Sequence, residues 1–264
     1  MVRIWTLLKI SFLTNIRYKV NFLAESVSNL IPIIPAVTML PNGQGSVFSF
    51  ADAGSYAVYL LVAFAIWSFV EALWSFAFSM RSQMRQGIID ETLMMPLSVN
   101  ELIIGWSLDG IVSTLVTAFP LILVSGTVIS ITGSIAGLLE TLCIFLVCVF
   151  AGYCFALILV SLMFVWKETD QLVSFLGNIA PFVCGVLIPF SDLPAAVKVI
   201  GCFFPYTWGL DLIRGFLFHY PTVLEIRSEM VLLIVLTIVY YVIGRKAFTI
   251  LHKVSRKQGG ITGF

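Results

Sequence analysis

The sequence predicts an all-α, polytopic membrane protein with six transmembrane helices. Three observations support this fold class. Of the 264 residues 59% are hydrophobic, and only 11% are charged, whereas soluble domains carry roughly 25% charged residues. Moreover, no Lys or Arg occurs in the 61 residues between Lys19 and Arg81, or in the 81 residues between Arg85 and Lys167. A membrane span needs about 20 apolar residues, so each of these stretches has room for two spans.

The first predicted element is an amphipathic interfacial helix over residues 1–19. At a helical repeat, Arg3, Lys9 and Arg17 lie on one side of this helix, whereas apolar residues including Trp5 and Phe12 lie on the other. A basic amphipathic helix with a Trp is typical of the lipid headgroup layer. A simple cytoplasmic extension of the first span is the alternative.

Residues 20–250 are predicted to form the transmembrane domain, with spans at 20–40, 56–80, 106–131, 138–165, 171–190 and 229–250. Arg245 and Lys246 interrupt the sixth span near its end and must extend toward water. Six crossings put both termini on one side of the membrane. If that side is cytoplasmic, 12 of the 15 basic residues lie inside, as the positive-inside rule requires. The expected location is therefore the plasma or inner membrane, with a basic cytoplasmic tail over residues 251–264.

A stripe of aromatic residues around one acid marks the second span. Phe64, Trp67, Glu71, Trp74 and Phe78 follow spacings of 3, 4, 3 and 4, which places them on one helix face. A charged carboxylate near the bilayer centre costs about 3 kcal/mol, so Glu71 should be protonated, partnered or in contact with water. The stripe is predicted to be either the wall of a substrate pathway or a packing face around a neutral glutamate.

The fifth span carries a complementary face of small and polar residues. Gln171, Ser174, Asn178, Pro181 and Gly185 repeat at the same spacings, and Pro181 should kink the helix. Such a face allows close approach of another helix or lines a wet passage. Gln171, Ser174 and Asn178 are therefore further candidates for the pathway.

The segment over residues 81–105, between the second and third spans, is predicted to lie in the cytoplasm. It carries charges of both signs, and an apolar set precedes Pro96, which stops any helix. This set comprises Ile88, Ile89, Leu93, Met94 and Met95. A Met-rich surface with neighbouring charges suits docking on another protein, and a solvated loop is the alternative.

Residues 191–221 are apolar enough for a membrane, but Pro194, Pro205 and Pro221 divide them into pieces too short to cross it. Broken helices at membrane depth need protein or water around their free backbone groups. A pair of short re-entrant helices is therefore predicted, and two helices lying flat on the surface are the alternative. Their charged residues Asp192, Asp211 and Arg214 should face water or each other.

No sequence motif for catalysis or metal binding is found. The patterns G-x-x-x-x-G-K-[ST], H-E-x-x-H and G-x-S-x-G do not occur, and His219 and His252 stand alone. The five cysteines are odd in number and show no C-x-x-C spacing, so they are interpreted as small buried apolar residues. We expect no enzymatic site, cofactor or metal in this chain, and an energy source in a partner or an ion gradient.

Two stretches resemble the permeases of ABC-2-type transporters. GIIDETLMMPLSVNELIIG is similar to a family motif with a glycine, an acid three residues on, and a P-L-S sequence after an apolar pair. GVLIPFSDLPAAVKVIGCFFPYTWGLDLIRG is similar to the family's segment between its last two spans. Their order and separation fit the six-span frame, so the resemblance covers essentially the whole chain.

This resemblance implies a half-transporter. Two permeases, identical or related, would bind two ATP-binding subunits, which hold ATP and Mg. The segment over residues 81–105 would be the coupling helix, and residues 191–221 would be outer helices that close the exit. The coupling residues implied are Arg85, Gly87, Asp90, Glu91 and Pro96, with Asp90 where many members have Glu. The outer-gate residues implied are Gly185, Pro189, Pro194, Pro205, Arg214 and Gly215.

The expected function is ATP-driven export of an amphipathic compound such as a drug, antibiotic or lipid, because aromatic faces beside one acid suit such substrates. Export of a polysaccharide or glycolipid is the first alternative. The second is an ion-driven transporter or channel that uses Glu25, Glu71 and Asp109, although no inverted repeat between the halves supports it. A membrane enzyme or anchor subunit would need a catalytic cluster. The expected partners include membrane lipids but no nucleic acid.

Overall fold

The computed structural model describes residues 19–31, 53–86, 99–119, 135–163, 169–218 and 222–257, together with residues 17, 34 and 121. These residues form α-helices, one short 3₁₀ turn over Phe190–Asp192, and no strand. The helices are α1 (Lys19–Leu30), α2 (Ala53–Arg85), α3 (Val99–Thr117), α4 (Ile135–Met163), α5 (Thr169–Val183), α6 (Ala195–Gly201), α7 (Pro205–Phe218) and α8 (Ile226–Lys257). The all-α fold class is thus confirmed for this part of the chain.

Three helices of the described residues are long and apolar enough to cross a membrane. The qualifying stretches are Ser55–Trp74 in α2, Leu139–Leu162 in α4 and Ile226–Ile250 in α8. They coincide with the second, fourth and sixth predicted spans. None of these helices contains a proline, so their hydrogen-bond ladders run without a break. Several long apolar helices of this kind indicate a membrane-embedded protein.

The helices α6 and α7 form a bent pair, which would count as a fourth candidate span. Their axes meet at 107° across a short break. Pro194 is the N-cap residue of α6, and Pro205 is the first residue of α7. Both positions suit proline, because the first turn of a helix does not need its backbone N–H. Within the described residues 191–218, two short helices begin at or beside Pro194 and Pro205, as predicted, whereas their re-entry from the outer surface stays a prediction.

The other three predicted spans coincide with shorter helices in the described residues. Helix α1 has 12 residues, α3 has 19 and α5 has 15, and the apolar parts of α3 and α5 are Ser107–Thr117 and Ser174–Val183. Within the residues described, none of the three has an apolar part long enough for a full span. The six-span topology therefore stays a prediction.

Helix α4 lies at the centre of the packing, in contact with α2, α7 and α8. Helix α8 approaches α4 so closely that the contact requires a glycine on α8. A Cβ atom on Gly244 would lie 2.9 Å from the carbonyl oxygen of Cys154 and 3.2 Å from the Cβ of Leu157. The outer face of α8, in contrast, exposes large apolar side chains such as Val231, Ile234 and Ile238. This face suits contact with lipid.

Several predicted boundaries differ from the helices. Helix α3 begins at Val99, seven residues before the predicted start of the third span. Helix α5 ends at Val183, seven residues before the predicted end of the fifth span, so Gly185 lies in the turn after the helix and not on its polar face.

Helix α2 continues through Arg85, so the first five residues of the predicted cytoplasmic segment are helical. Helix α8 continues to Lys257, seven residues past the predicted end of the sixth span. In both regions charged side chains are compatible with continued helix, since Lys and Arg are good helix formers. The interfacial helix predicted for residues 1–19 lies almost wholly outside the described residues, as does the end of the tail after 257.

Candidate functional site

A buried ion pair lies on α7, the second helix of the bent pair. Arg214 Nη2 lies 2.9 Å from Asp211 Oδ1, and each side chain is 1% exposed. One helical turn separates the two residues, so their side chains lie on the same face of α7. Arg214 Nη1 also donates a hydrogen bond of 2.6 Å to Ser191 Oγ. The guanidinium thereby joins α7 to the 3₁₀ turn that precedes α6.

The same cluster holds the loop between α7 and α8. The backbone N–H of Val223 donates to Asp211 Oδ2 at 2.9 Å, and that of Leu224 donates to Glu229 Oε1 at 2.8 Å. Glu229 lies in the first turn of α8 and is fully buried. An acid at this position also interacts favourably with the N-terminal end of the helix dipole. We name the group Ser191, Asp211, Arg214 and Glu229 the ionic cluster.

At the break between α6 and α7, side chains donate hydrogen bonds to the backbone carbonyl groups. Thr207 Oγ1 donates to the carbonyl oxygen of Gly201 at 2.8 Å, and Trp208 Nε1 donates to that of Cys202 at 3.1 Å. Tyr240 of α8 donates its hydroxyl to the carbonyl oxygen of Phe203 at 3.0 Å. The last carbonyls of a helix have no partner within the helix. These three donors allow the chain to bend inside an apolar surrounding.

The turn between α5 and the 3₁₀ turn is anchored to α2. Gly185 adopts φ +87°, a left-handed conformation that favours glycine. The hydroxyl of Tyr59 donates to the carbonyl oxygen of Gly185, and that of Tyr56 donates to the carbonyl oxygen of Leu187 at 2.6 Å. Two tyrosines near the start of α2 therefore fix the position of this turn.

The residues implied as an outer gate lie together in this region. Gly185 forms the anchored turn, Pro189 and Pro194 precede the 3₁₀ turn and α6, and Pro205 begins α7. Arg214 is in the ionic cluster, and Gly215 is buried beside it on α7. Asp211 and Arg214 face each other, which was one of the two predicted arrangements, whereas Asp192 is exposed. Sequence reasoning missed Glu229, although an acid in the first turn of an apolar helix is a recognisable signal.

The aromatic stripe of α2 is divided between the core and the surface. Trp67 and Trp74 are 5% and 2% exposed, with ring centroids 5.6 Å apart. Both rings pack against Tyr206 of α7, at 6.4 and 6.3 Å, and Trp74 also packs against Phe155 of α4 at 4.9 Å. This burial favours the packing-face interpretation for the two tryptophans, because neither offers its ring to a passing molecule.

The remaining members of the stripe are placed differently. Phe64 is half-buried and Glu71 is exposed. The side chain of Phe78 lies outside the described residues. The assignment of Phe64 and Glu71 to a substrate pathway stays a prediction.

The polar face of α5 is not covered by the described residues. Gln171, Ser174 and Asn178 are all exposed. A Cβ atom added to Gly177, on the same helix, would meet no atom of the described residues within 4 Å. Polar groups on the membrane-facing side of a helix usually have a protein partner or water. The face is thus suited to contact with a second chain or to a wet passage.

Helices α2 and α3 cross closely beside two acids. A Cβ atom on Gly110 would lie 3.0 Å from the carbonyl oxygen of Ala72. Glu71 and Asp109 are the sequence neighbours of these two residues, so both acids flank the crossing. Glu71 is exposed and Asp109 is half-buried. The side chain of Glu25, the third acid of the ion-driven hypothesis, lies outside the described residues.

Most of the predicted coupling residues are outside the described residues. These are Gly87, Asp90, Glu91 and Pro96, and the side chain of Arg85 is not described either. Helix α2 ends at Arg85, five residues into this segment, and the next residue, Gln86, is exposed. The coupling segment is placed at the end of α2 only by its order in the sequence.

The cysteines agree in part with the prediction. Cys148, Cys154 and Cys184 are buried, whereas Cys143 and Cys202 are exposed, and all five are free thiols. Among the described residues no group of three or more His, Cys, Asp or Glu side chains could hold a metal ion.

No protein-family model and no curated protein matches the chain. The resemblance to ABC-2-type permeases accordingly rests on the two sequence stretches quoted above.

Proposed function

We propose that the chain is the membrane-embedded permease subunit of an ATP-driven exporter of the ABC-2 type. The observation that carries this proposal is the bent helix pair, which follows α5 and precedes α8 and has a proline at the N-cap of α6 and at the first residue of α7. In the family that the sequence resembles, this position holds the re-entrant helices that close the exit. The hydrogen bonds of Arg214 to Ser191 and of the Val223 N–H to Asp211 support a fixed tertiary position for the helix pair.

The proposed topology has six spans, with both termini in the cytoplasm. In it, α2, α4 and α8 are the second, fourth and sixth spans, and α1, α3 and α5 are parts of the first, third and fifth. The bent pair then lies at the outer side of the membrane. The segment over residues 81–105 lies at the cytoplasmic end of α2, where an ATP-binding subunit would dock.

Helix α2 supports a mechanical link between the two sides. It is unbroken from the tyrosines that hold the Gly185–Leu187 turn to Arg85. With a rise of about 1.5 Å per residue, its 33 residues extend about 50 Å. Closure of two ATP-binding subunits would push the coupling segment, and the displacement would reach the bent pair through this helix. Export then follows from opening of the outer side.

A dimer of permeases is part of the proposal. The exposed polar residues of α5, Gln171, Ser174 and Asn178, support a contact with a second copy or a relative. The substrate would pass between the two permeases, with Glu71 and Phe64 as its proposed contacts. An apolar surface with one acid favours an amphipathic compound such as a drug, antibiotic or lipid. A polysaccharide or glycolipid is the alternative cargo.

Co-purification with the ATP-binding subunit tests the proposal. Asp90→Arg and Glu91→Arg should abolish association and ATP-driven transport, because the coupling surface then carries the wrong charge. The matched control is Glu225→Arg, which makes the same charge change at an exposed residue near the start of α8. It should leave association unchanged. Normal association and transport in both coupling variants would contradict the assignment of residues 81–105.

An ion-driven transporter is the second candidate. The observation that favours it is the α2–α3 crossing, where Glu71 and Asp109 flank the closest approach of the two backbones. Reconstitution of the purified chain alone in liposomes separates the two functions. Transport driven by an ion gradient without any ATP-binding subunit, and lost in Glu71→Gln or Asp109→Asn, would establish this candidate and reject the exporter.

A further inference from the structure

Two adjacent cations, Arg245 and Lys246, lie near the end of the apolar stretch of α8. Both side chains are exposed, and both residues fall within the candidate span Ile226–Ile250. Arg245 is 19 residues after Ile226, which corresponds to roughly 28 Å along the helix. The hydrocarbon core of a bilayer is about 30 Å thick. The two cations therefore lie close to the level where one edge of this core meets the lipid headgroups.

The side of α8 that carries Arg245 is the side that exposes apolar residues. Ile234, Ile238 and Val242 are 47%, 56% and 42% exposed. Arg245 continues this series, whose spacings of four, four and three residues place all four side chains on one helix face. The described residues leave this face uncovered. Arg245 thus lies at the end of an apolar face that is suited to acyl chains.

Three aromatic rings from two helices lie beside Arg245. Its guanidinium carbon Cζ is 5.9 Å from the centroid of the Tyr241 ring, which is within the range of a cation–π contact. The Phe150 ring of α4 lies 5.9 Å from that of Tyr241 and 6.3 Å from that of Tyr153, between ring centroids. Phe150 and Tyr241 are also exposed. We name Tyr241, Phe150 and Tyr153 the aromatic ledge, which bridges α4 and α8.

The two helices that build this surface provide no anion for the cations. Each contains one acid, Glu140 in α4 and Glu229 in α8. Glu229 is 16 residues before Arg245, roughly 24 Å along the helix. Glu140 is ten residues before Phe150, roughly 15 Å along α4. A charged side chain at membrane depth usually has a counter-ion or water, so a counter-ion for this surface has to come from outside α4 and α8.

We propose that Arg245, Lys246 and the aromatic ledge form a binding site for the headgroup of an anionic phospholipid. The planar guanidinium presents parallel N–H donors to two oxygens of the lipid phosphate. The acyl chains lie along the apolar face of α8. Basic groups between transmembrane helices suit such headgroups. The site requires only that α8 crosses the membrane, so it does not depend on the proposed exporter function.

The two positive charges determine which phospholipid is preferred. Phosphatidylcholine carries a cation beside its phosphate, and this cation would be repelled by Arg245 and Lys246. Phosphatidylglycerol has the same phosphate and no cation. Each Lys or Arg near a membrane surface strengthens the attraction to anionic lipid by about fivefold in affinity. The site should therefore favour phosphatidylglycerol, and the preference should fall as each charge is removed.

Native mass spectrometry of the purified full-length chain in detergent tests the site. The chain is titrated with phosphatidylglycerol and, separately, with phosphatidylcholine of the same acyl chains. We expect the wild type to retain phosphatidylglycerol more tightly. Arg245→Gln should weaken this binding by about fivefold, and Arg245→Gln/Lys246→Gln should abolish the preference. The matched control is Arg227→Gln, which removes an exposed charge at the other end of α8 and should keep it.

Three outcomes of this titration would overturn the proposal. The first is equal retention of the two lipids by the wild type, and the second is a preference that survives in the double variant. The third is an equal loss in Arg227→Gln, which would show a general effect of charge and no site at Arg245. Inorganic phosphate at millimolar concentration should not displace phosphatidylglycerol. Displacement would assign the cations to free phosphate and would also overturn the lipid site.

A second variant and a second readout test the aromatic ledge if the charge variants fold poorly. Tyr241→Leu keeps both cations but removes the ring beside the guanidinium, so it should weaken phosphatidylglycerol binding. Thermal unfolding in detergent should show a higher melting temperature of the wild type on addition of phosphatidylglycerol, because a ligand of the folded state stabilises it. The increase should be smaller in Tyr241→Leu. Equal increases with phosphatidylglycerol and phosphatidylcholine in the wild type would contradict a site for anionic lipid.

Discussion

Tyr59, near the start of the long helix α2, donates its hydroxyl to the carbonyl oxygen of Gly185, whose left-handed backbone forms the turn after α5. The two residues are 126 positions apart in the sequence. Their contact connects a helix that leads toward residues 81–105 with the turn that leads into the bent helix pair. A change at this contact should therefore affect both stability and any motion transmitted along α2.

Tyr59→Phe should destabilise the fold and weaken transport while leaving partner association intact. The variant leaves the Gly185 carbonyl without its donor, at a cost of about 1–3 kcal/mol for a buried group. Thermal unfolding of the purified chain measures the loss. Tyr56→Phe is the matched control, because Tyr56 donates to Leu187 from a more accessible position and should cost less. An equal, negligible effect of both changes would show that the turn is held by other contacts.

Arg214→Leu should be among the most destabilising single changes in the described residues. It leaves Asp211 buried and without its cation, and breaking such a buried pair typically costs about 3–5 kcal/mol. The exposed Arg227 provides the control, since Arg227→Leu should change stability by less than about 0.5 kcal/mol. The double variant Asp211→Leu/Arg214→Leu should recover part of the loss, because no unpaired charge remains. Equal stability of the Arg214 and Arg227 variants would contradict the importance of the pair.

Experiments should distinguish the buried tryptophans of the α2 stripe from the exposed Glu71. Trp74→Ala should unfold or strongly destabilise the chain, by about 3–5 kcal/mol, since it removes a ring packed between Tyr206 and Phe155. Glu71→Gln should leave the melting temperature nearly unchanged and should alter transport if the acid contacts substrate. Glu140→Gln, at an exposed acid of α4, is the control. If the Glu71→Gln variant transported every tested compound normally, Glu71 would have a structural role and not a substrate contact.

Sequence reasoning succeeded where structure is decided locally. Uninterrupted apolar runs predict α2, α4 and α8. Pro194 and Pro205 interrupt a helix whatever their tertiary surroundings. It failed where partners come from distant segments. The periodicity placed Trp67 and Trp74 on one face but could not show that Tyr206 of α7 covers that face. The role of Glu229 likewise depends on tertiary contacts with α7 and its loop, which no local pattern encodes.

Glycine substitutions on two helices should distinguish internal packing from a contact between chains. Gly244→Ala places a Cβ against the Cys154 carbonyl and should destabilise the chain by about 1–3 kcal/mol. Gly177→Ala meets open space and should be neutral or stabilising by up to about 1 kcal/mol, because alanine is the better helix former.

Gly177→Leu extends this comparison to the proposed dimer. If the polar face of α5 packs against a second permease, the larger side chain should separate the two copies without lowering the stability of each. Size-exclusion chromatography with light scattering measures the assembly, and thermal unfolding in excess detergent measures the single chain. Val231→Phe, on the exposed apolar face of α8, is the matched enlargement on a surface suited to lipid and should leave the assembly unchanged. An assembly that is unaffected by Gly177→Leu but disrupted by Val231→Phe would move the proposed contact from α5 to α8, because only the surface that faces another protein chain is sensitive to added volume.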